Sequence, residues 1–293
     1  MKRITILTTL VGLGLVTSMG RPVAQGNLAE IEHVKDNLYV ITGGGGNTAA
    51  LVTDSGVVVV DTKNPGWGDA ILTQIRTVTD KPVQMIINTH THGDHVGSNI
   101  DFPQPVEIVA HTNTKTNMER MEAFQSTSGR QYLPSQTYQE RLTLLDGDNQ
   151  IDLYHFGAGH TSGDSIVVFR ALGVAHTGDL FAWKGVPYID VGNGGSGVSY
   201  PKTLLAAADG ISGVDTVIPG HSPVMTWADF REFGEFNRDF LTAVERGKAE
   251  GKSSAETAAS LNLPARYANY VMSRGTLTSA ADNAEKIYAE LDQ

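Results

Sequence analysis

His90-Thr91-His92-Gly93-Asp94-His95 decides how this chain is to be read. Three of the chain's nine histidines and one carboxylate fall inside this stretch. It follows directly on Val83-Gln84-Met85-Ile86-Ile87-Asn88, which reads as a buried strand. The cluster therefore sits on a loop at a strand's C-terminal end, where open α/β sheets place their ligands. His90 and His92 are two residues apart and point the same way from an extended segment, so both can reach one metal ion. Gly93 is expected to let the backbone turn sharply, so that Asp94 and His95 face a second ion. As a bare surface loop the cluster would repel itself on protonation and serve no packing purpose.

Outward from the cluster, short β-like runs alternate with turns and a few helices as far as about residue 225. Leu38 to Ile41 reads as a strand turned by Gly43 to Gly46, and Ala49–Thr53 with Val57–Val60 as a hairpin around Asp54-Ser55-Gly56. Four consecutive valines, Val57 to Val60, predict a central strand covered on both faces. Strands are expected at 106–110, 151–156, 165–169, 173–176 and 216–218, and helices at 68–77, 112–124 and 200–208. From Trp227 the chain turns helix-rich, at 227–249, 253–261 and 280–291. No Pro/Gly-rich linker precedes this part, so it reads as a helical C-terminal layer on the same core, with a separate small helical domain as the alternative.

Composition narrows the chemistry. At 40% hydrophobic and 18% charged, the 293 residues belong to the globular class. Cysteine is absent, which removes thiolate ligands and a thiol nucleophile, so a transition-metal site must use His, Asp and Glu. A formal net charge of −10 disfavours nucleic acid and anionic membrane surfaces as partners and leaves a small-molecule substrate. Residues 1–26 read as a signal peptide. Lys2 and Arg3 precede the apolar run Ile4 to Val16, which is too short for a comfortable bilayer span and argues against stable membrane insertion. The expected location is periplasmic or secreted, and the mature domain spans 27–293.

Further metal-ligating candidates recur at strand ends: His160 in Gly159-His160-Thr161-Ser162-Gly163-Asp164, Asp179 in Gly178-Asp179, His221 in Pro219-Gly220-His221, and Asp61 after the four valines. In this order, with His90-x-His92-x-Asp94-His95, they resemble the five motifs of the metallo-β-lactamase superfamily, spread over residues 61 to 221. The resemblance implies a four-layer αβ/βα sandwich and two zinc ions per chain. It implies that His90, His92 and His160 hold one ion, that Asp94, His95 and His221 hold the other, that Asp179 bridges them, and that Asp61 braces the ligand loop from behind. His33, His111, His155 and His176 are read as structural or surface residues.

Two ions about 3.5–4 Å apart can share a water and lower its pKa towards 7. The expectation is a dinuclear zinc hydrolase whose metal-bridging hydroxide attacks a small ester, thioester, lactone or lactam, with Asp94 as the catalytic residue that orients the nucleophile and shuttles its proton. Trp183, Lys184 and Tyr188, in the stretch after Asp179, are candidates for substrate contact, with Lys184 pairing an anionic group. Two other readings stand beside this one. A secreted β-lactamase fits export, although Asp179 departs from the Cys or Ser of the lactamases it resembles. A mononuclear iron sulfur dioxygenase would need only two His and an Asp.

Overall fold

In the computed structural model, residues 29–293 are described, and the expected signal peptide at 1–26 lies outside them. Among the described residues, no helix is long and apolar enough to cross a membrane.

The first half of the chain forms a seven-stranded sheet in sequential order: β1 (Glu30–Lys35), β2 (Leu38–Thr42), β3 (Thr48–Val52), β4 (Val57–Val60), β5 (Val83–Asn88), β6 (Glu107–His111) and β7 (Gln136–Tyr138). The pairings from β1 to β4 are antiparallel, and those from β4 to β7 are parallel. The second sheet runs β13 (Met225–Thr226), β12 (Thr216–Pro219), β11 (Val174–Gly178), β10 (Ile166–Phe169), β9 (Ile151–Tyr154), β8 (Arg141–Leu144). The helices are α1 (Gly68–Arg76), α2 (Gly93–Val96), α3 (Thr112–Met118), α4 (Thr127–Arg130), α5 (Tyr200–Gly210), α6 (Trp227–Ala249), α7 (Ser254–Ala259) and α8 (Ala280–Leu291).

Alternation along the strands builds the layers. In β4, Val58 and Val60 join an apolar layer between the two sheets, with Leu51, Ile87, Leu153, Val167 and Ile218. Val57 and Val59 face the other way, against Ile71 and Ile75 of α1. All four valines are fully buried, as a central strand covered on both faces requires. On the far side of the second sheet, Ile166, Val168 and Val217 pack under Phe230, Phe233 and Phe236 of α6 and under α5 and α8. The molecule is thus a four-layer αβ/βα sandwich. The C-terminal helices cover its second sheet.

One expectation changes, and four strands go unforeseen. The helix read at 112–124 stops at Met118 and resumes as a single 3-10 turn at Glu122–Phe124. Its sequence carries no long apolar stripe. Asn117 and Arg120 instead hydrogen-bond Asn193, while Met118 and Phe124 turn into a small cluster with Val96. Strands β1, β7, β8 and β13 are sheet edges or short strands with partly exposed side chains, and they gave no strong pattern.

Candidate metal centre

The rim of the sandwich where the strands end gathers every candidate ligand. His90 and His92 lie on the loop after β5, and Asp94 and His95 on α2. His160 follows β9, Asp179 follows β11 and His221 follows β12. The two sheets therefore each contribute part of the cluster. Asp179 is reached through Gly178, whose φ of +48° and close approach to Thr89 leave no room for a side chain. Gly93 does not act as expected: it starts α2 without a positive φ, and an added methyl would meet nothing nearer than 4.0 Å. The turn between the two ligand pairs comes from the extended His92, at the N-cap of α2.

Two sets of donor atoms converge. His90, His92, His160 and Asp179 form one set, and Asp94, His95 and His221 the other, each with its atoms within 4.8 Å of one another. Asp179 faces both: its Oδ1 is 3.3 Å from His95 Nε2, and its Oδ2 is 3.3 Å from His221 Nε2 and 3.8 Å from His160 Nε2. Asp94 Oδ2 lies 3.1 Å from His221 Nε2. Asp61, His90 and His95 also approach one another, but both Asp61 oxygens are engaged.

The outer faces of the rings decide what the inner faces offer. His95 Nδ1 donates to Asp61 at 2.7 Å, His92 Nε2 to Asp190 at 2.7 Å, and His160 Nδ1 to the Tyr188 carbonyl at 2.7 Å. These oxygens can only accept, so each ring carries its proton outward. Thr89 Oγ1 gives its own proton to Asp61 at 2.6 Å and accepts from His90 Nδ1 at 3.0 Å. His90, His92 and His160 are thereby fixed with bare lone pairs pointing inward, and His95 is turned to present its Nε2 to the same space, as metal-ligating histidines are held.

Those lone pairs crowd together. His160 Nε2 sits 2.9 Å from His92 Nδ1, and His95 Nε2 sits 3.3 Å from His221 Nε2. His90 Nε2 and Asp179 Oδ1 are buried without a hydrogen-bond partner. Protons do not resolve the crowding in the first set. Burial, then the neighbouring imidazoles, hold His90 well below the usual histidine range, and burial brings His160 to about 4. In the second set burial is overcome by the carboxylates, with His95 held well above its ordinary value and His221 pushed up to about 9. The same imidazoles keep the buried Asp179 carboxyl well below its ordinary value. A largely buried set of imidazole nitrogens and carboxylate oxygens, two of them without a hydrogen-bond partner, fits divalent transition-metal ions, zinc among them.

A cleft opens over the cluster, lined by His92, Asp94, Asp179 and His221 together with Trp183 and Tyr188. Lys184 is not part of it. Its ammonium is 2.6 Å from Asp229 and 3.3 Å from Glu232 on α6, so the anionic group it pairs is the protein's own. Sequence reading missed Asp190, Thr89 and the cleft residues Arg274 and Leu277. Asp190 lies two residues past Tyr188, the last of the candidates for substrate contact. Arg274 lies far past the last motif, in irregular chain with no local signal. His111 and His155 stack on each other at 3.9 Å, and His176 hydrogen-bonds the Asn47 carbonyl, all in structural roles.

A two-sheet αβ/βα sandwich with a His/Asp cluster at its strand ends defines a class of metal-binding, hydrolase-like proteins. The model of the metallo-beta-lactamase superfamily matches residues 41–221, more than half of the chain, and the chain belongs to that superfamily. The alpha subunit of 2,4-dinitroanisole O-demethylase from Nocardioides sp. is 32% identical over 145 residues, 47% of this chain and 42% of that protein. The match therefore spans less than half of that relative's length. Metallo-beta-lactamase domain-containing protein 1 of Mus musculus is 27% identical over 70% of this chain and 73% of its own. Among solved structures, the sec-alkylsulfatase Pisa1 from Pseudomonas sp. superposes with a TM-score of 0.71 at 14% identity, covering 90% of this chain and 50% of that one. A metallo-beta-lactamase from Pontibacter korlensis gives 0.60 at 19% identity, covering 72% and 99%. At these identities the structures speak for the fold alone.

Proposed function

We propose that this protein is a dinuclear zinc hydrolase acting on a small ester, thioester, lactone or lactam. The observation that carries the reading is Asp179, which faces two separate groups of inward-pointing histidine nitrogens. His90, His92 and His160 would hold one ion and Asp94, His95 and His221 the other, with Asp179 between them. Two zinc ions supply a water of lowered pKa and an electrophile for the substrate's oxygen. The chain's own residues do the rest. Asp61, Thr89, Asp190 and the Tyr188 carbonyl keep the imidazoles in the ligating tautomer. Hydrogen bonding to His221 and the charge of His95 outweigh burial and hold the Asp94 carboxyl below its ordinary value, so it stays ionised to orient the attacking water and take its proton. Trp183 and Tyr188 supply apolar wall.

An iron sulfur dioxygenase would use one ion and leave the Asp94–His95–His221 group without a role. A β-lactamase activity belongs among the hydrolyses to be screened. The names of the relatives add an aryl methyl ether and secondary alkyl sulfates to the screen. Export through residues 1–26 is part of the proposal, and N-terminal sequencing of the mature protein tests it.

The deciding experiment is elemental mass spectrometry of the purified protein. About two zinc ions per chain, with hydrolysis of at least one of these substrate classes, is the expected result. A single iron would overturn the hydrolase and favour the dioxygenase.

A further inference from the structure

The cleft over the cluster carries one arginine, Arg274, and its lining carboxylates leave it unpaired. Asp94 and Asp179 face the histidines, and Asp190 Oδ2 is taken by His92 and by Asn193 at 2.6 Å. Among the described residues the Arg274 side chain meets no carboxylate, carbonyl or hydroxyl. Its contact is the Trp183 ring, with the guanidinium carbon 4.1 Å from the ring centroid. A guanidinium held over a ring face in this way keeps N–H donors open to a ligand.

The Trp183 ring and the backbone that carries Arg274 are both fixed. Trp183 is buried, and its indole N–H donates to the Val186 carbonyl at 3.1 Å. The turn that carries Arg274 is closed by its own N–H donating to the Thr278 carbonyl at 2.8 Å and by pairing of Ser273 with Ser279. Thr278 in turn donates to the Pro187 carbonyl at 2.9 Å. The Trp183 ring stands 6.3 Å from the His221 ring, so the guanidinium and the candidate metal cluster share the walls of one cleft. Leu277, 49% exposed, lies beside it and also lines the groove that continues along α8 with Val191, 57% exposed.

We propose that Arg274, stacked on Trp183, is a subsite for an anionic oxygen group of the substrate, a carboxylate or sulfonate, separate from the bond that is cleaved. An arginine edge binds such a group through two parallel hydrogen bonds. Leu277 takes the apolar stem that joins the anion to the reacting bond. The substrates are small amphiphilic organic acids. The proposal rests on the hydrolase reading for what is cleaved, but not for the existence of the subsite.

The test uses zinc-loaded protein with phenyl acetate and 4-acetoxybenzoate, which differ by one carboxylate. Native protein is expected to favour the acid in kcat/KM. Arg274→Gln is expected to lower that preference by roughly tenfold or more, chiefly through KM, and Arg274→Lys to keep part of it. A preference that survives Arg274→Gln overturns the proposal. Should neither ester be turned over, the hydrolase reading suffers and the subsite is decided by binding. Cyclohexanecarboxylate should alter the tryptophan emission of native protein and not that of Arg274→Gln or Trp183→Phe. No response in native protein, or one that persists in Arg274→Gln, overturns it.

Discussion

Asp190 does for His92 what Asp61 does for His95: it accepts the outward ring proton and so commits the inward nitrogen to a metal. Hydrogen bonding to His92 is the main cause that holds the Asp190 carboxyl well below its ordinary value, so it is always available as an acceptor. Asp190→Ala frees the His92 tautomer, and zinc affinity is expected to fall about tenfold to a hundredfold, read by competition with a chromogenic chelator. Unchanged affinity would remove Asp190 from the site. Lys63 is a second residue whose environment dictates behaviour. It is fully buried and donates to the carbonyls of Ile41 at 2.7 Å and Gly46 at 2.9 Å, bracing the glycine turn beside His95. Burial lowers its pKa to about 7, against a small opposing pull from Asp61. Between pH 7 and 10 the unfolded chain therefore binds a proton that the folded chain does not, so this residue makes stability rise with pH. Denaturant titrations of metal-free protein should show native protein gaining stability relative to Lys63→Met as pH rises from 7 to 10. Identical slopes in the two proteins would refute the assignment.

Elements bring ligands together only where the backbone lets them pass. Gly220, after β12, lies so close to Asp179 that an added methyl would sit 1.9 Å from its Oδ1. Gly220→Ala is expected to displace the carboxylate and lose metal from the purified protein. Gly93→Ala, inside the motif itself, has open space and should keep its metal content. The reverse pattern by elemental analysis would contradict this account. The contrast also shows what the sequence could and could not convey. The histidines and aspartates were legible because each follows an apolar strand, and strand ends on one rim converge whatever the register. The role of Gly93 was misread because a glycine's need for freedom depends on its φ and neighbours, which no local pattern records. Lys184 was misread for a related reason: its partners, Asp229 and Glu232, lie on a helix more than forty residues on. Edge strands such as β1 and β8 stayed hidden because half-exposed side chains leave little alternation.

At the scale of the whole molecule the cluster joins the two halves. His90, His92, Asp94 and His95 come from the first sheet, and His160, Asp179 and His221 from the second. Asn47 already ties the halves, donating from its side chain to the Pro219 and Ser222 carbonyls at 2.8 Å and from its backbone to the Gly220 carbonyl at 2.7 Å. Ions held between the sheets, as proposed, would add a second tie that the unfolded chain cannot match. Zinc at about a hundred times its Kd should stabilise the fold by about 2.7 kcal/mol. For a fold of this size that is a rise in Tm of roughly 5–10 °C. The increment should depend on pH in a definite direction. His221, raised to about 9 by hydrogen bonds to Asp179 and Asp94 that outweigh its burial, lends the metal-free protein stability below the unfolded histidine value near 6.5. That contribution is lost as pH climbs through about 9, and the same protons compete with zinc for the ring. The zinc-dependent rise in Tm should therefore shrink towards pH 6 and grow towards pH 9, as measured by calorimetry with chelator and with excess zinc. A Tm that does not respond to chelation at any pH would mean that the ions, if bound, do not hold the sheets together.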